Sequence, residues 1–365
     1  MQYRSTGGFH KFRQSVILFA MNRKAVLFVL VSAMACGLVA SMPALADDSA
    51  AAIAAGGLVP RRETRIVMAR EVLQISEKKV VVDYDFRNDT AEDVTTEVAF
   101  PIPPYTNEID GPAASQQSFS DFQLEIGGKA VPFMTEAQAT LNGKDVTALL
   151  LANHIDIPTF GHFVDTVNSK HEEVIDSPDF SRLPQSTKDQ LVKAGIFELT
   201  PAPIGRWTVH LQYHWTQTFP AHSTVHIRHE YSPVAGFTQI PSVSAASELL
   251  DGFCADASLV NSLNHAQKQN TGQYVTIFPQ WVDFILTSAN TWRQPIEDFT
   301  LIIERPQPRQ GGKLLISFCS PADGKVEKTG VDLLQVHLTN FVPASELHIG
   351  FFEVPLAKAA QPAAK

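Results

Sequence analysis

Five of the 12 histidines in this 365-residue chain fall within one short stretch: His210, His214, His222, His226 and His229. Imidazole is a common ligand of zinc and copper, so a cluster this dense raises metal chemistry first. Val209, Leu211, Tyr213 and Trp215 alternate with His210, Gln212 and His214, and Val225, Ile227, His229 and Tyr231 alternate with His226, Arg228 and Glu230. A period of two means strands, with His210 and His214 on the polar face of one and His226 on the polar face of the next. The two strands read as a long hairpin turning at Phe219-Pro220-Ala221. Positions i and i+4 of a strand stand about 13 Å apart, so only a cross-strand pair could chelate. The competing expectation is a solvated polar face, and no metal ligand is assigned. His229 falls on the apolar face, where a buried, hydrogen-bonded imidazole is expected.

Other chemistries find less support. Trp207, Trp215, Trp281 and Trp292 could form a sugar platform, but aromatics alternating in strands are more often core. The acid pairs Asp83/Asp85 and Glu172/Glu173 read as solvated faces rather than a glycosidase pair. No Gly-x-Ser-x-Gly elbow is present. His171-Glu172 is followed by Ile175 where a zincin needs its second histidine. Gly127-Gly128-Lys129 lacks the remainder of a phosphate loop, and no Gly-rich dinucleotide motif sits between a strand and a helix. No catalytic residue and no cofactor are therefore assigned.

Residues 1–46 contain five basic residues (Arg4, Lys11, Arg13, Arg23, Lys24) and no acid. An apolar run from Ala25 to about Ala40 leads through Pro43 to Ala44-Leu45-Ala46. Basic start, apolar centre and small-x-small exit are the pattern of a secretory signal peptide, with residues 1–20 an extension if translation starts at Met21. Cleavage after Ala46 leaves 319 residues beginning at Asp47. Without those five bases, 24 basic residues face 38 acids, a net charge of −14. So acidic a chain repels nucleic acid, and no later stretch is long and apolar enough for a stable membrane span. Cys36 leaves with the leader. In an oxidising compartment the remaining Cys254 and Cys319 pair into one disulfide, the alternative being two buried thiols.

Most of the mature chain alternates with period two. Val80, Val82, Tyr84 and Phe86, then Thr96, Val98 and Phe100, predict an antiparallel hairpin across Arg87-Asn88-Asp89-Thr90. Phe122–Ile126 and Ala130–Met134 flank a Gly127-Gly128 turn. Asp47–Pro60 is a short helix or an extended lead-in. Asp145 caps one predicted helix, and Ser186–Gly195 forms another that ends at its glycine. Leu249–His265 carries a further helix. Later strands are predicted at Tyr274–Phe278, Val282–Leu286, Phe299–Ile303, Leu314–Phe318, Leu333–Leu338 and Leu347–Phe352, with a turn at Gly311-Gly312. The fold class is mainly β: two antiparallel β-sandwich-like domains, 47–141 and 199–357, a helical insertion over 142–198, and a disordered tail over 358–365.

Several strings occur together in order: Ala54-Ala55-Gly56-Gly57-Leu58, Val98-Ala99-Phe100-Pro101-Ile102-Pro103, Trp215-Thr216-Gln217-Thr218-Phe219-Pro220, Phe284-Ile285-Leu286-Thr287, Ser317-Phe318-Cys319 and Phe341-Val342-Pro343. In these the chain resembles a family of secreted bacterial proteins known as domain of unknown function 4424, over nearly all of the mature chain. The resemblance implies export and a β-rich fold and carries no activity. The strand into Pro101-Ile102-Pro103 and the segment Phe122–Gly128 are more faintly similar to the vault and inter-alpha-trypsin inhibitor sandwich, an interaction module. The Asp-x-Ser-x-Ser metal string of its usual neighbour domain does not occur here. The expectation is an exported, non-enzymatic protein, periplasmic or extracellular, that binds an envelope protein or polymer. A hydrolase of envelope polymer and a periplasmic metal carrier are the alternatives.

Overall fold

Strands with one apolar face need a second apolar surface to cover it, and in the computed structural model two large sheets cover each other. The structure describes residues 49–354 except 55–56, 108–120, 168–172, 201, 239, 241, 270–276, 306 and 308–312. The leader, the Gly311-Gly312 turn and the tail lie outside the described residues. The chain opens with β1 (Ser49–Ala54) and β2 (Gly57–Pro60), so the lead-in is extended. It continues through β3 (Ile66–Ile75), β4 (Val80–Asn88), β5 (Val94–Pro101), β6 (Gln123–Ile126), β7 (Lys129–Ala130), β8 (Met134–Leu141) and β9 (Lys144–Asp145). The next region holds α1 (Thr147–Ala152), β10 (Val164–Val167), β11 (Glu173–Asp176), α2 (Pro178–Ser181), α3 (Gln185–Lys193), β12 (Phe197–Leu199) and β13 (Pro203–Gly205). Then follow β14 (Thr208–Phe219), β15 (Ser223–Tyr231), β16 (Ala235–Phe237), α4 (Ser247–Gly252) and α5 (Ala257–Gln269). The last strands are β17 (Phe278–Phe284), β18 (Ile296–Glu304), β19 (Lys313–Phe318), β20 (Glu327–Lys328), β21 (Leu333–Phe341) and β22 (Leu347–Val354).

One sheet has the order β2-β1-β5-β14-β8-β9, and its partner the order β20-β21-β18-β3-β4-β15-β6-β7. This corrects the expected division into separate sandwiches over 47–141 and 199–357. β14 lies between β5 and β8, β15 lies between β4 and β6, and β18 pairs in parallel with β3. Both halves thus share both sheets. Alternation shows which face of a strand is buried but not which strand lies beside it.

The two long hairpins are corrected for the same reason. β4 and β5 lie in opposite sheets, as do β14 and β15, so each short connection is a crossing from one sheet to the other. Asn88 ties the crossings together. Its side chain is fully buried, and its Nδ2 donates to the carbonyls of Phe219 (2.8 Å) and Glu92 (2.9 Å). Its Oδ1 accepts from the Thr90 N–H (2.9 Å) and the Thr90 hydroxyl (2.7 Å). His222, at φ 50°, donates its N–H to the Thr90 carbonyl, and Asp93 accepts from the Ala221 N–H. Phe86, Phe219 and Trp292 pack their rings edge-to-face and tilted against one another, with Phe86 and Trp292 centroids 4.6 Å apart. The Gly127-Gly128 turn forms, with φ of 57° and 72° at the two glycines, but its return strand is only Lys129–Ala130, and Met134 begins β8 in the other sheet.

The third sheet, β16-β17-β22-β19, places Val282, Phe284, Leu347, Ile349 and Phe351 in the main core. Its other face packs Trp281, Leu315 and Phe352 against Phe253, Leu259 and Leu263 of the α4–α5 region. The predicted helix over Leu249–His265 is broken at Cys254, where φ is 51°. Cys254 and Cys319 are disulfide-bonded with Cα atoms 5.0 Å apart, so the helical layer is tied to the end of β19.

The segment 142–198 is not mainly helical. Its three short helices share it with the β10–β11 ladder, which alternation too weak to register left unread. Asp145 Oδ1 accepts from the Thr147 N–H at 2.8 Å to start α1, and Gly195 (φ 73°) closes α3. Asp179 is buried, held by Arg182 Nη1 (2.7 Å), His162 Nδ1 (3.1 Å) and the Asp156 N–H (2.8 Å). Buried Ser177 donates to the carbonyls of Phe160 and Gly161, which marks it as structural and not as a nucleophile.

Replacing Asn88 by alanine leaves two carbonyls and an amide at the crossings without their partner. The expected cost is about 3 kcal/mol, measured by urea denaturation; a loss under about 1 kcal/mol refutes its role as the tie. Reducing the disulfide opens a loop closed over a separation of 65 residues. It should cost about 4 kcal/mol, and hydrogen exchange should quicken in α4, α5 and β19 before the crossings loosen. Uniform loss across all three sheets would show that the bridge is not local in effect.

Candidate functional site

The histidines do not converge. His210 and His214 project from the outer face of one large sheet and His226 from the outer face of the other, because β14 and β15 lie in different sheets. His222 sits in the crossing between them. The imidazoles of His210, His214 and His226 already have protein partners. His210 Nε2 meets Thr140 Oγ1 at 2.9 Å, and burial holds its pKa below the usual histidine value. His214 Nδ1 lies 2.7 Å from Glu97 Oε1, and the Thr216 hydroxyl donates to Glu97 Oε2 at 2.9 Å. His226 lies between Asp85 (2.9 Å) and Asp83 (3.3 Å), which also pair with Arg70 (2.7 Å) and Arg228 (2.6 Å). Burial pushes the Asp85 carboxyl up, but Arg70 and His226 outweigh it and hold the group below its usual range. The Asp83/Asp85 face is thus an ion-pair ladder and not simply solvated. Among the described residues, no three His, Cys, Asp or Glu side chains are placed to hold a metal ion. Glu172 and His171 lie outside the described residues.

His229 has a different place. It is fully buried between the sheets, with the rings of Phe100, Phe122, Trp215 and Tyr84 at 4.8, 5.3, 5.3 and 5.5 Å. Burial pushes its pKa down to about 3, so the imidazole is neutral in the folded protein at any ordinary pH. It is part of the core, as are Trp207, Trp215 and Trp292.

Trp281 is the tryptophan left at the surface, and the main cleft forms around it. The cleft has a volume of ≈ 390 Å³. One wall is the rigid Pro103-Pro104-Tyr105-Thr106 segment that continues β5. Paired backbone hydrogen bonds between Tyr105 and Val209 hold that wall to β14, and the Tyr105 hydroxyl donates to the Pro158 carbonyl at 2.9 Å. The opposite wall is β16, an edge strand. Gly236 of β16 pairs with Trp281 of β17, and a Cβ on Gly236 would stand 1.8 Å from the indole. The indole therefore lies across the glycine, which any larger residue would prevent. Tyr231 and Pro233 close the base, and Asp283 contributes a carboxylate.

Asp283 Oδ1 meets His348 Nδ1 at 2.8 Å across the β17–β22 pair. That hydrogen bond raises the His348 pKa, against the opposing pull of burial, with the charges of Asp283 and Glu346 adding to it. The residues lining the cleft include no Lys, Arg or His. An indole face, a carboxylate and two rigid walls are equipment for binding. Trp281 was among the residues weighed for a sugar platform. Gly236 was missed, though a glycine between apolar residues inside a strand is the usual signal of close backbone approach.

The neutral His229 makes stability depend on pH. The unfolded chain takes up this proton near pH 6.5 and the folded chain only near 3, so stability falls as pH drops between those values, by about 1.4 kcal/mol per unit. The difference in unfolding free energy between pH 7 and pH 5 should shrink by about 2 kcal/mol in His229→Leu relative to the parent. An unchanged pH slope would mean that the imidazole is protonated in the fold.

Among solved structures the chain is similar to a Legionella pneumophila protein whose assigned role, nutrient binding, is provisional. Identity is 16%, the TM-score is 0.39, and the match covers 80% of this chain and 68% of that one. It is also similar to an M1 zinc metallopeptidase of Deinococcus radiodurans, at 9% identity and a TM-score of 0.21, covering 80% of this chain and 43% of that one. A two-domain M1 zinc metallopeptidase bound to L-arginine gives 8% identity and a TM-score of 0.21, covering 80% and 44%. The chain spans less than half of either metallopeptidase. It matches none of the curated proteins. The family described as domain of unknown function DUF4424 matches residues 46–349, nearly the whole chain, and to that family this protein belongs.

Proposed function

We propose that this protein is an exported binding module of the cell envelope and that it takes its ligand in the Trp281 cleft. The observation that carries the reading is the indole lying across Gly236 beside the Asp283 carboxylate. A half-buried tryptophan kept uncovered at a cost in apolar exposure is what a stacking site requires. The volume lies in the range of about 300–1,000 Å³ typical of ligand sites. Export is supported by the basic, apolar and Ala-Leu-Ala succession ending at Ala46. It is supported also by the disulfide, which persists in oxidising compartments. No helix among the described residues is long and apolar enough to cross a membrane. The reading is non-enzymatic, in keeping with a lining of prolines, aromatics and small apolar residues around one carboxylate.

The test is comparative. Envelope extract passed over the immobilised protein, over Trp281→Ala and over Asp283→Asn should leave at least one component retained by the parent alone. Both variants should melt within a few degrees of the parent, because neither residue is fully buried. Equal retention by all three proteins, or retention by none, removes the cleft as the binding site.

A further inference from the structure

We infer that the ligand of the cleft is an extended peptide carrying a basic side chain, which adds as a strand to the free edge of β16; this rests on the cleft being the binding site. The backbone register carries the inference. Ile240 and Ile277 exchange both of their backbone hydrogen bonds, and the Thr238 N–H donates to the Pro279 carbonyl. Antiparallel pairs alternate between bonded and non-bonded, so Gly236 and Trp281 form the next bonded pair. Ala235 and Phe237 are then non-bonded pairs with Val282 and Gln280. Their N–H and C=O groups point away from β17, and β16 is the edge of its sheet. Among the described residues neither has a backbone partner on that side. Such groups are a template for a further strand.

The side chains say what that strand carries. Directly opposed residues share a face, so a ligand residue opposite Gly236 projects on the same face as Trp281. Gly236 offers no side chain of its own, and the indole reaches over it. A Lys or Arg on that ligand face, where alternate residues recur about every 7 Å, runs its stem along the indole toward Asp283. Asp283 keeps a side chain 36% exposed with one oxygen engaged by His348. His348 holds that one oxygen, no Lys, Arg or His is among the cleft's lining residues, and the chain as a whole carries a net charge of −9. Pro103 and Pro104 line the same cleft and carry no N–H that could pair with the edge in the ligand's place.

The probes are three blocked hexapeptides of β-forming residues. One has Lys at alternate positions, one has Glu there, and one is the Lys peptide with alternate backbone nitrogens methylated. The Lys peptide should quench Trp281 fluorescence and slow hydrogen exchange at the amides of Ala235 and Phe237. The Gly236 amide, already bonded within the sheet, should be unchanged. The Glu and N-methylated peptides should bind at least about tenfold more weakly, the loss of a charge contact or of paired hydrogen bonds. Ala235→Pro, tolerated at an edge because it removes only the outward N–H, should weaken the Lys peptide by a similar factor. Binding without protection at Ala235 and Phe237, or equal binding of all three peptides, overturns strand addition. Failure of every peptide overturns this inference alone where an envelope component is still retained through Trp281, and together with the proposed function where none is.

Discussion

The fold depends on Asn88. The chain crosses between sheets through a few largely exposed residues, and the backbone where each crossing enters the core needs a buried polar partner. Two such crossings meet, one after β4 and one after β14, and a single carboxamide serves both. It gives two donors to carbonyls on different crossings and accepts two more from Thr90. Buried amides with this many partners are satisfied only in one arrangement, so the network selects the topology as well as stabilising it. The aromatic packing of Phe86, Phe219 and Trp292 can form only once the two crossings are in register.

From those crossings the cleft follows by chain geometry. β5 leaves the first crossing and runs the length of its sheet beside β14 before reaching Pro101. β15 leaves the second crossing and runs the same way in the other sheet to Tyr231. The ends of the two strands therefore emerge together, one continuing into Pro103-Pro104 and the other into Pro233 and β16. Prolines interrupt a ladder, so past Pro101 the first segment keeps only the bonds of Ile102 and Tyr105 to β14, while past Pro233 the second leaves its sheet and pairs with β17 as β16. The third sheet fills the opening from one side with β17. What remains is a gap between a proline wall and an edge strand, placed by backbone and not by flexible side chains.

Much of this architecture could be read without coordinates. Period-two alternation identified β4, β5, β14, β15 and most of the C-terminal strands, but left β3 (Ile66–Ile75) unread. It also separated their faces correctly, so that Tyr84, Phe86, Trp215 and His229 were assigned inward. Gly127-Gly128 and Gly195 marked a turn and a helix end because a positive φ is required there. Strand partnership was not legible. A tight hairpin and a crossing between sheets have the same short polar connection and the same alternation on either side. The difference lies in one buried asparagine, and asparagine is also an ordinary turn residue. The error spread from there: a false hairpin put His210, His214 and His226 on one face and kept a metal carrier open as an alternative, although the topology sets these histidines on different sheets.

The same comparison shows why the cleft was harder to find than the histidines. Functional residues draw attention in sequence when they cluster by type, yet the clustered histidines are spread over opposite surfaces and held by Thr140, Glu97, Asp83 and Asp85. The cleft gathers unlike residues from distant parts of the chain: prolines near 103, a glycine at 236, an indole at 281 and a carboxylate at 283. None is unusual by itself. Their chemistry comes from position, since the indole is presented only because Gly236 lacks a Cβ, and β16 keeps an open edge only because the strand across the gap has ended in prolines. The outward backbone groups of Ala235 and Phe237 set the pattern a ligand must match, and what matches a free strand edge is another extended strand.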